Sequence, residues 1–261
     1  MSERIERFEI AGTPAIQVRV ASGAVRLTEG DAGKVVVHLD GKDSEIERYR
    51  VEQIGDLVQI EPEGGWRMVN PSIRITIETG VPPEVRVKSA SGEVTATGEL
   101  AHLQVDTASG SVRVDRVSGD ASIRSASGDV KIGSVEGFLK ATVASGDVQA
   151  GVVKGGADLK LASGDAKITI AEGGIKMKSA SGDLLVGNLR DGDFEAKSLS
   201  GDVTVGIPAG RTLEVRLDAL SGKLTTEFPV RQDRDDHAAD GGVSIISIKT
   251  ISGDVTLRPV T

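Results

Sequence analysis

The chain has 261 residues, 33 Gly, 8 Pro, 2% aromatic and 38% hydrophobic residues, and a formal charge of −8. Its apolar content therefore comes mainly from Val, Ile, Leu and Ala, the composition of thin β structure with many turns. The acidic balance opposes attraction to nucleic acid, and the absence of Cys excludes disulfides, thiolate nucleophiles and Cys-type metal sites.

The N-terminal Met-Ser-Glu-Arg-Ile-Glu-Arg is charged and leads into no apolar run long enough for a signal peptide or membrane span, so a cytoplasmic protein without direct membrane insertion is expected. Residues 1–85 contain alternating segments, among them Ile16-Gln17-Val18-Arg19-Val20, Leu57-Val58-Gln59-Ile60 and Ile73-Arg74-Ile75-Thr76-Ile77. Turns such as Ala21-Ser22-Gly23 and Glu63-Gly64-Gly65 separate them, and no nine-residue beat is evident. This stretch reads as an irregular β-rich cap or a set of degenerate coils that ends at Val81-Pro82-Pro83.

From residue 86 onward a repeat dominates. Glycine falls at 110, 119, 128, 137, 146, 155, 164, 173 and 182 in unbroken nine-residue steps, then resumes at 192 and 201. Every second unit carries Ser-Gly, usually followed by Asp, as in Ser127-Gly128-Asp129, Ser145-Gly146-Asp147, Ser163-Gly164-Asp165, Ser181-Gly182-Asp183 and Ser200-Gly201-Asp202. The full repeat is thus eighteen residues, extending back to Ser91-Gly92-Glu93 and forward, at longer spacings, to Ser221-Gly222 and Ser252-Gly253-Asp254.

Glycine suits corners whose backbone angles a Cβ would obstruct. Between corners the residues alternate, with Val130 and Ile132 on one face and Asp129 and Lys131 on the other, then Leu139, Ala141 and Val143 opposite Lys140 and Thr142. Two strands per repeat, each with one apolar face, predict an all-β fold: a parallel β-solenoid with eighteen-residue, two-strand coils. The expected inward columns Ala121, Leu139, Ala157, Ile175 and Ile123, Ala141, Leu159, Met177 offset large and small side chains, as an interior two side chains thick requires. An antiparallel meander would need a covering layer that no obvious helix supplies. Pro229 to Gly242, containing Arg231-Gln232-Asp233-Arg234-Asp235-Asp236-His237, interrupts the repeat and is expected to be an exposed polar loop.

The Ser-Ala-Ser-Gly-Asp-Val run at 125–130, its near copy Ser-Ala-Ser-Gly-Asp-Leu at 179–184, and the preceding Val-Pro-Pro segment resemble the bacterial β-strand-repeat family called Toast-rack, which also carries the label "putative adhesin". The resemblance implies a β-solenoid, a setting among membrane-anchored or envelope-stress proteins, and no enzymatic activity. It supplies no catalytic residues.

Two polar columns invite chemistry. Asp129, Asp147, Asp165, Asp183 and Asp202 would stack about 5 Å apart, but Asp alternates with Phe138, Gly156 and Gly174, unlike a calcium-binding nonapeptide array, so turn formation is the expected role. Arg124, Lys140, Lys160, Lys176, Lys178 and Lys197 would form a basic stripe for an acidic partner, broken by Asp158 and Glu195. A solvated face is the competing explanation. His38, His102 and His237 show no ligand spacing, and only His237 lies among acids. Trp66 is the aromatic most open to ligand contact, against a role in packing the cap.

The expected function is non-enzymatic: a binding or scaffold module for a protein partner, without cofactor, catalytic residue or metal. Trp66, Arg124, Lys140, Lys160, Lys176, Lys178, Lys197 and His237 are its candidate contacts. End-to-end self-assembly into filaments is the alternative, and a polysaccharide lyase or hydrolase ranks below both for want of sugar-stacking aromatics.

Overall fold

The structure, a computed structural model, describes residues 2–64, 72–211, 213–228 and 244–260. The chain forms two compact units, Met1–Val135 and Glu136–Thr261. From β8 onward both follow one rule: the chain turns at a glycine corner and comes back to lie parallel on the strand one coil earlier.

Unit 1 contains β1 (Ser2–Glu9), β2 (Ala15–Glu29), β3 (Lys34–Gly41), the single turn α1 (Asp43–Ile46), β4 (Tyr49–Ile54), β5 (Leu57–Pro62), β6 (Ser72–Thr79), β7 (Glu84–Leu100), β8 (His102–Ser109), β9 (Val112–Val117), β10 (Ala121–Ser127) and β11 (Val130–Val135). β7 and β2 are parallel and in register, with Ser22 beside Ser91 and Gly23 beside Gly92. Each of these long strands bends at its Ser-Gly and serves two ladders. One ladder runs β4, β5, β2, β7, β8, β10, and the other β1, β3, β6, β2, β7, β9, β11.

The apparently irregular N-terminal region therefore already contains a corner of the repeat, at Gly23. The pairings β1–β3, β3–β6 and β4–β5 are antiparallel.

Unit 2 contains β12 (Leu139–Ser145), β13 (Val148–Val153), β14 (Ala157–Ser163), β15 (Ala166–Ala171), β16 (Ile175–Ser181), β17 (Leu184–Leu189), β18 (Phe194–Ser200), β19 (Val203–Pro208), β20 (Leu213–Ser221), β21 (Leu224–Thr226), β22 (Ser244–Ser252) and β23 (Val255–Val260). All its ladders are parallel. Leu139 lies beside Ala157 and Ala157 beside Ile175, an eighteen-residue offset, so the parallel solenoid holds and the antiparallel meander does not. Spatial order departs from chain order at the end. β22 lies between β18 and β20, and β23 between β19 and β21, so the last coil in sequence is inserted one place before the last coil in space.

The core is the set of inward columns. Leu139, Ala157, Ile175, Phe194 and Ile246 are each 2% exposed or less, as are Ala141, Leu159, Met177, Ala196 and Ile248 in the next column. Burying a Leu or Ile side chain contributes about 1.5–3 kcal/mol, and summed along the stack this term drives the fold.

The two glycine corners have different causes. Gly182 has φ +118°, and a Cβ there would lie 2.1 Å from the Gly164 carbonyl oxygen, so only glycine fits by conformation and by space. Gly155 has no positive φ, but a Cβ there would come within 2.5 Å of the Gly137 backbone. Close coil-to-coil approach, not turning angle, demands that second glycine.

Candidate functional site

The Asp column builds the corner. Within unit 2 the backbone N–H of Asp165 donates to the Asp147 carboxylate at 2.9 Å, Asp183 to Asp165 at 2.8 Å, Asp202 to Asp183 at 2.8 Å and Asp254 to Asp202 at 2.8 Å. Lys223 N–H donates to Asp254 at 2.8 Å and ends the series. Charge-assisted bonds of this kind are stronger than neutral ones, which explains an acidic residue beside the glycine without invoking a metal. Among the described residues, no three His, Cys, Asp or Glu side chains gather closely enough to hold an ion.

The corner also has a polar lining. Ser179 and Ser198 are 5% and 3% exposed, and their hydroxyls donate to the carbonyls of Ser181 and Ser200 at 3.0 and 3.1 Å. Burial of these hydroxyls is compensated locally, which keeps the Ser-x-Ser-Gly turn rigid.

The candidate basic residues do not form one stripe. In unit 2, Lys140, Asp158, Lys176 and Glu195 occupy one outward column, and Lys160, Lys178, Lys197 and Lys249 the next. Arg124 belongs to unit 1, where it pairs with Asp106 at 3.2 Å. Trp66 and His237 lie outside the described residues, as does the whole segment from Pro229 to Gly242.

The first column neutralises itself. Glu195 accepts from Lys176 at 2.8 Å and Lys197 at 2.7 Å. These contacts, that with Lys176 foremost, hold its carboxyl down at about 2, and the Lys176 ammonium is raised in turn.

The second column keeps more positive character. Each member lies four residues before a corner glycine, at 164, 182, 201 and 253. Lys160 pairs with Asp158 at 3.3 Å and Lys249 with Asp218 at 3.5 Å, while Lys178 makes no ion pair among the described residues. Lys249 escaped the sequence reading, although counting back four from Gly253 identifies it.

A further component lies beside these lysines. The residue two before each corner glycine is outward-facing and reads Ala144, Ala162 and Ala180 in regular coils, then Leu199, Ile251 and Leu220 at the end of the stack. These three aliphatics are 55%, 50% and 83% exposed. With Lys160, Lys178, Lys197 and Lys249 they line a groove of about 640 Å³ whose lining includes one acidic residue, Asp218. On a chain of net charge −8 this is a locally positive, partly apolar surface. It can attract carboxylates through the ammonium groups and bury aliphatic groups against Leu199, Ile251 and Leu220.

The fold defines an all-β protein of the parallel solenoid class, stacked on glycine corners. The Toastrack DUF4097 family model matches residues 72–156 and 139–258, more than half of the chain, and the chain belongs to that family. No curated protein matches the sequence. Among solved structures, a "putative adhesin" from Bacteroides fragilis is 13% identical with a TM-score of 0.40, covering 99% of this chain and 97% of its own. A second "putative adhesin", from Parabacteroides distasonis, is 11% identical with a TM-score of 0.44 at the same coverage. Among the described residues, no helix is long and apolar enough to cross a membrane.

Proposed function

We propose that the protein is a non-enzymatic binding module and that the groove of unit 2 receives a protein partner through an extended segment carrying carboxylate and aliphatic side chains. The observation that carries this reading is the row Leu199, Ile251 and Leu220, exposed beside the lysine column in which Lys178 has no acidic partner among the described residues. Elsewhere in the repeat the same position holds alanine, so a solvated face does not account for the larger side chains. The lysines repeat about every 4.8 Å along the stack, so an extended partner carrying several carboxylates can meet more than one of them.

The test is fluorescence anisotropy of a labelled peptide alternating Glu and Leu, titrated with the full chain. Binding should weaken with added salt, and Lys178→Glu should weaken it by about tenfold, as expected for reversing one charge in a four-lysine site. Equal affinity for a Lys-Leu peptide, or an unchanged affinity in the variant, overturns the proposal.

A further inference from the structure

The last coil in space is unlike those beneath it. Val215 of β20 occupies the inward column of Phe194 and Ile246, which are 1% and 0% exposed, yet it is 41% exposed itself. Leu224 of β21 stands over Val255, which is 1% exposed, and is 41% exposed. Among the described residues β20 pairs only with β22, and no described strand lies along its other edge. A row of free N–H and C=O groups over open apolar side chains is a template for another strand.

The sequence of β20 suits a second copy of itself. Glu214-Val215-Arg216-Leu217-Asp218-Ala219 is self-complementary when laid antiparallel on itself about Leu217. In that register Leu217 meets Leu217 of a second copy and Val215 meets Ala219 of the second copy on the inward face. Outward, Arg216 meets Asp218 of the second copy, twice by symmetry. Shifting the centre by one residue to Arg216 sets Arg216 against itself and Glu214 against Asp218, so like charges oppose one another and that register is excluded.

We propose that two copies of this chain join through β20, edge to edge and antiparallel, in a closed two-fold dimer. The ion pairs Arg216–Glu214 at 2.7 Å and Lys249–Asp218 at 3.5 Å lie within one chain on exposed side chains. Such pairs contribute little and exchange readily for contacts across the dimer. Val215, Arg216 and Leu217 lie outside the groove's lining, so Arg216→Asp tests the pairing apart from the peptide-binding reading.

Sedimentation velocity of the full chain over a wide concentration range tests it. A monomer–dimer equilibrium is expected. Arg216→Asp should weaken it by about tenfold, because two opposite-charge pairs become two like-charge pairs. The reciprocal variant Arg216→Asp with Asp218→Arg should restore it, with circular dichroism verifying that both variants fold. A chain that stays monomeric at every concentration overturns the proposal. So does growth into filaments without limit, which marks head-to-tail contacts, or a reciprocal variant as weak as the single one.

Discussion

β1 and β20 are both outermost strands of their ladders among the described residues, yet they end the stack differently. β1 lies antiparallel on β3, and five of its eight residues are charged: Glu3, Arg4, Glu6, Arg7 and Glu9. Phe8, one of its two large apolar residues, is half-buried. β20 keeps the parallel direction of the coils beneath it and retains their apolar inward positions at Leu213, Val215 and Leu217. A reversed, densely charged strand offers a poor template for further pairing, whereas one that continues the repeat invites it. The stack thus ends on a reversed, charged strand in unit 1 and on a strand that continues the repeat in unit 2.

The sharpest challenge to this contrast lies deep in the stack of unit 2. Gly182→Ala should cost about 3 kcal/mol or more, since it combines a strained backbone with a clash against the Gly164 carbonyl. The same change at Gly210, with positive φ but no atom within 4 Å of its Cβ, should cost only about 1 kcal/mol. Urea midpoints compare the two, and equal costs would mean that coil spacing is looser than the ladder implies.

A smaller pair of effects addresses the open edge itself. Leu159→Ala, inside the stack, should cost about 3 kcal/mol, while Val215→Ala in dilute monomer should cost under about 1 kcal/mol. If Val215→Ala proved as costly as Leu159→Ala, the end of unit 2 would be as well covered as its middle.

The smallest effect concerns the outward face. The Glu195 carboxyl is held at about 2, below its ordinary 4.5, by Lys176 and Lys197. Its contribution is therefore fully present above about pH 4.5 and is lost as the pH falls through about 2. Glu195→Gln should cost about 1 kcal/mol at neutral pH, the scale of an exposed ion-pair network, and should flatten the acid limb of the stability profile.

The eighteen-residue coil is legible because Gly182 and Gly164 are irreplaceable: a position that admits one residue type leaves a countable mark. Gly23 carries the same mark, but it occurs once in its region, and β3, β4 and β5 with their antiparallel pairings separate it from the coil at Gly92. Periodicity could not show the exchange of order between β20 and β22. Ser221 and Ser252 carry the same corner and pair in register, so either order satisfies the alternation. Leu199, Leu220 and Ile251 were hidden for a related reason. Ser-Leu-Ser at 198–200 alternates as a core strand would, and it takes the register at Phe194 and Ala196 to show that Leu199 faces outward.

The inserted position of β22 and β23 bears on how the protein is made. A ribosome delivers residues 213–226 before residues 244–260, yet in the finished molecule the earlier segment rests on the later one. Coils up to Pro208 can be laid down one upon another as they emerge. The outermost coil cannot take its final seat until residues 244–260 have been made and have slotted in beneath it. The stack is therefore completed out of chain order, and β20, the strand with the open edge, is secured only after β22.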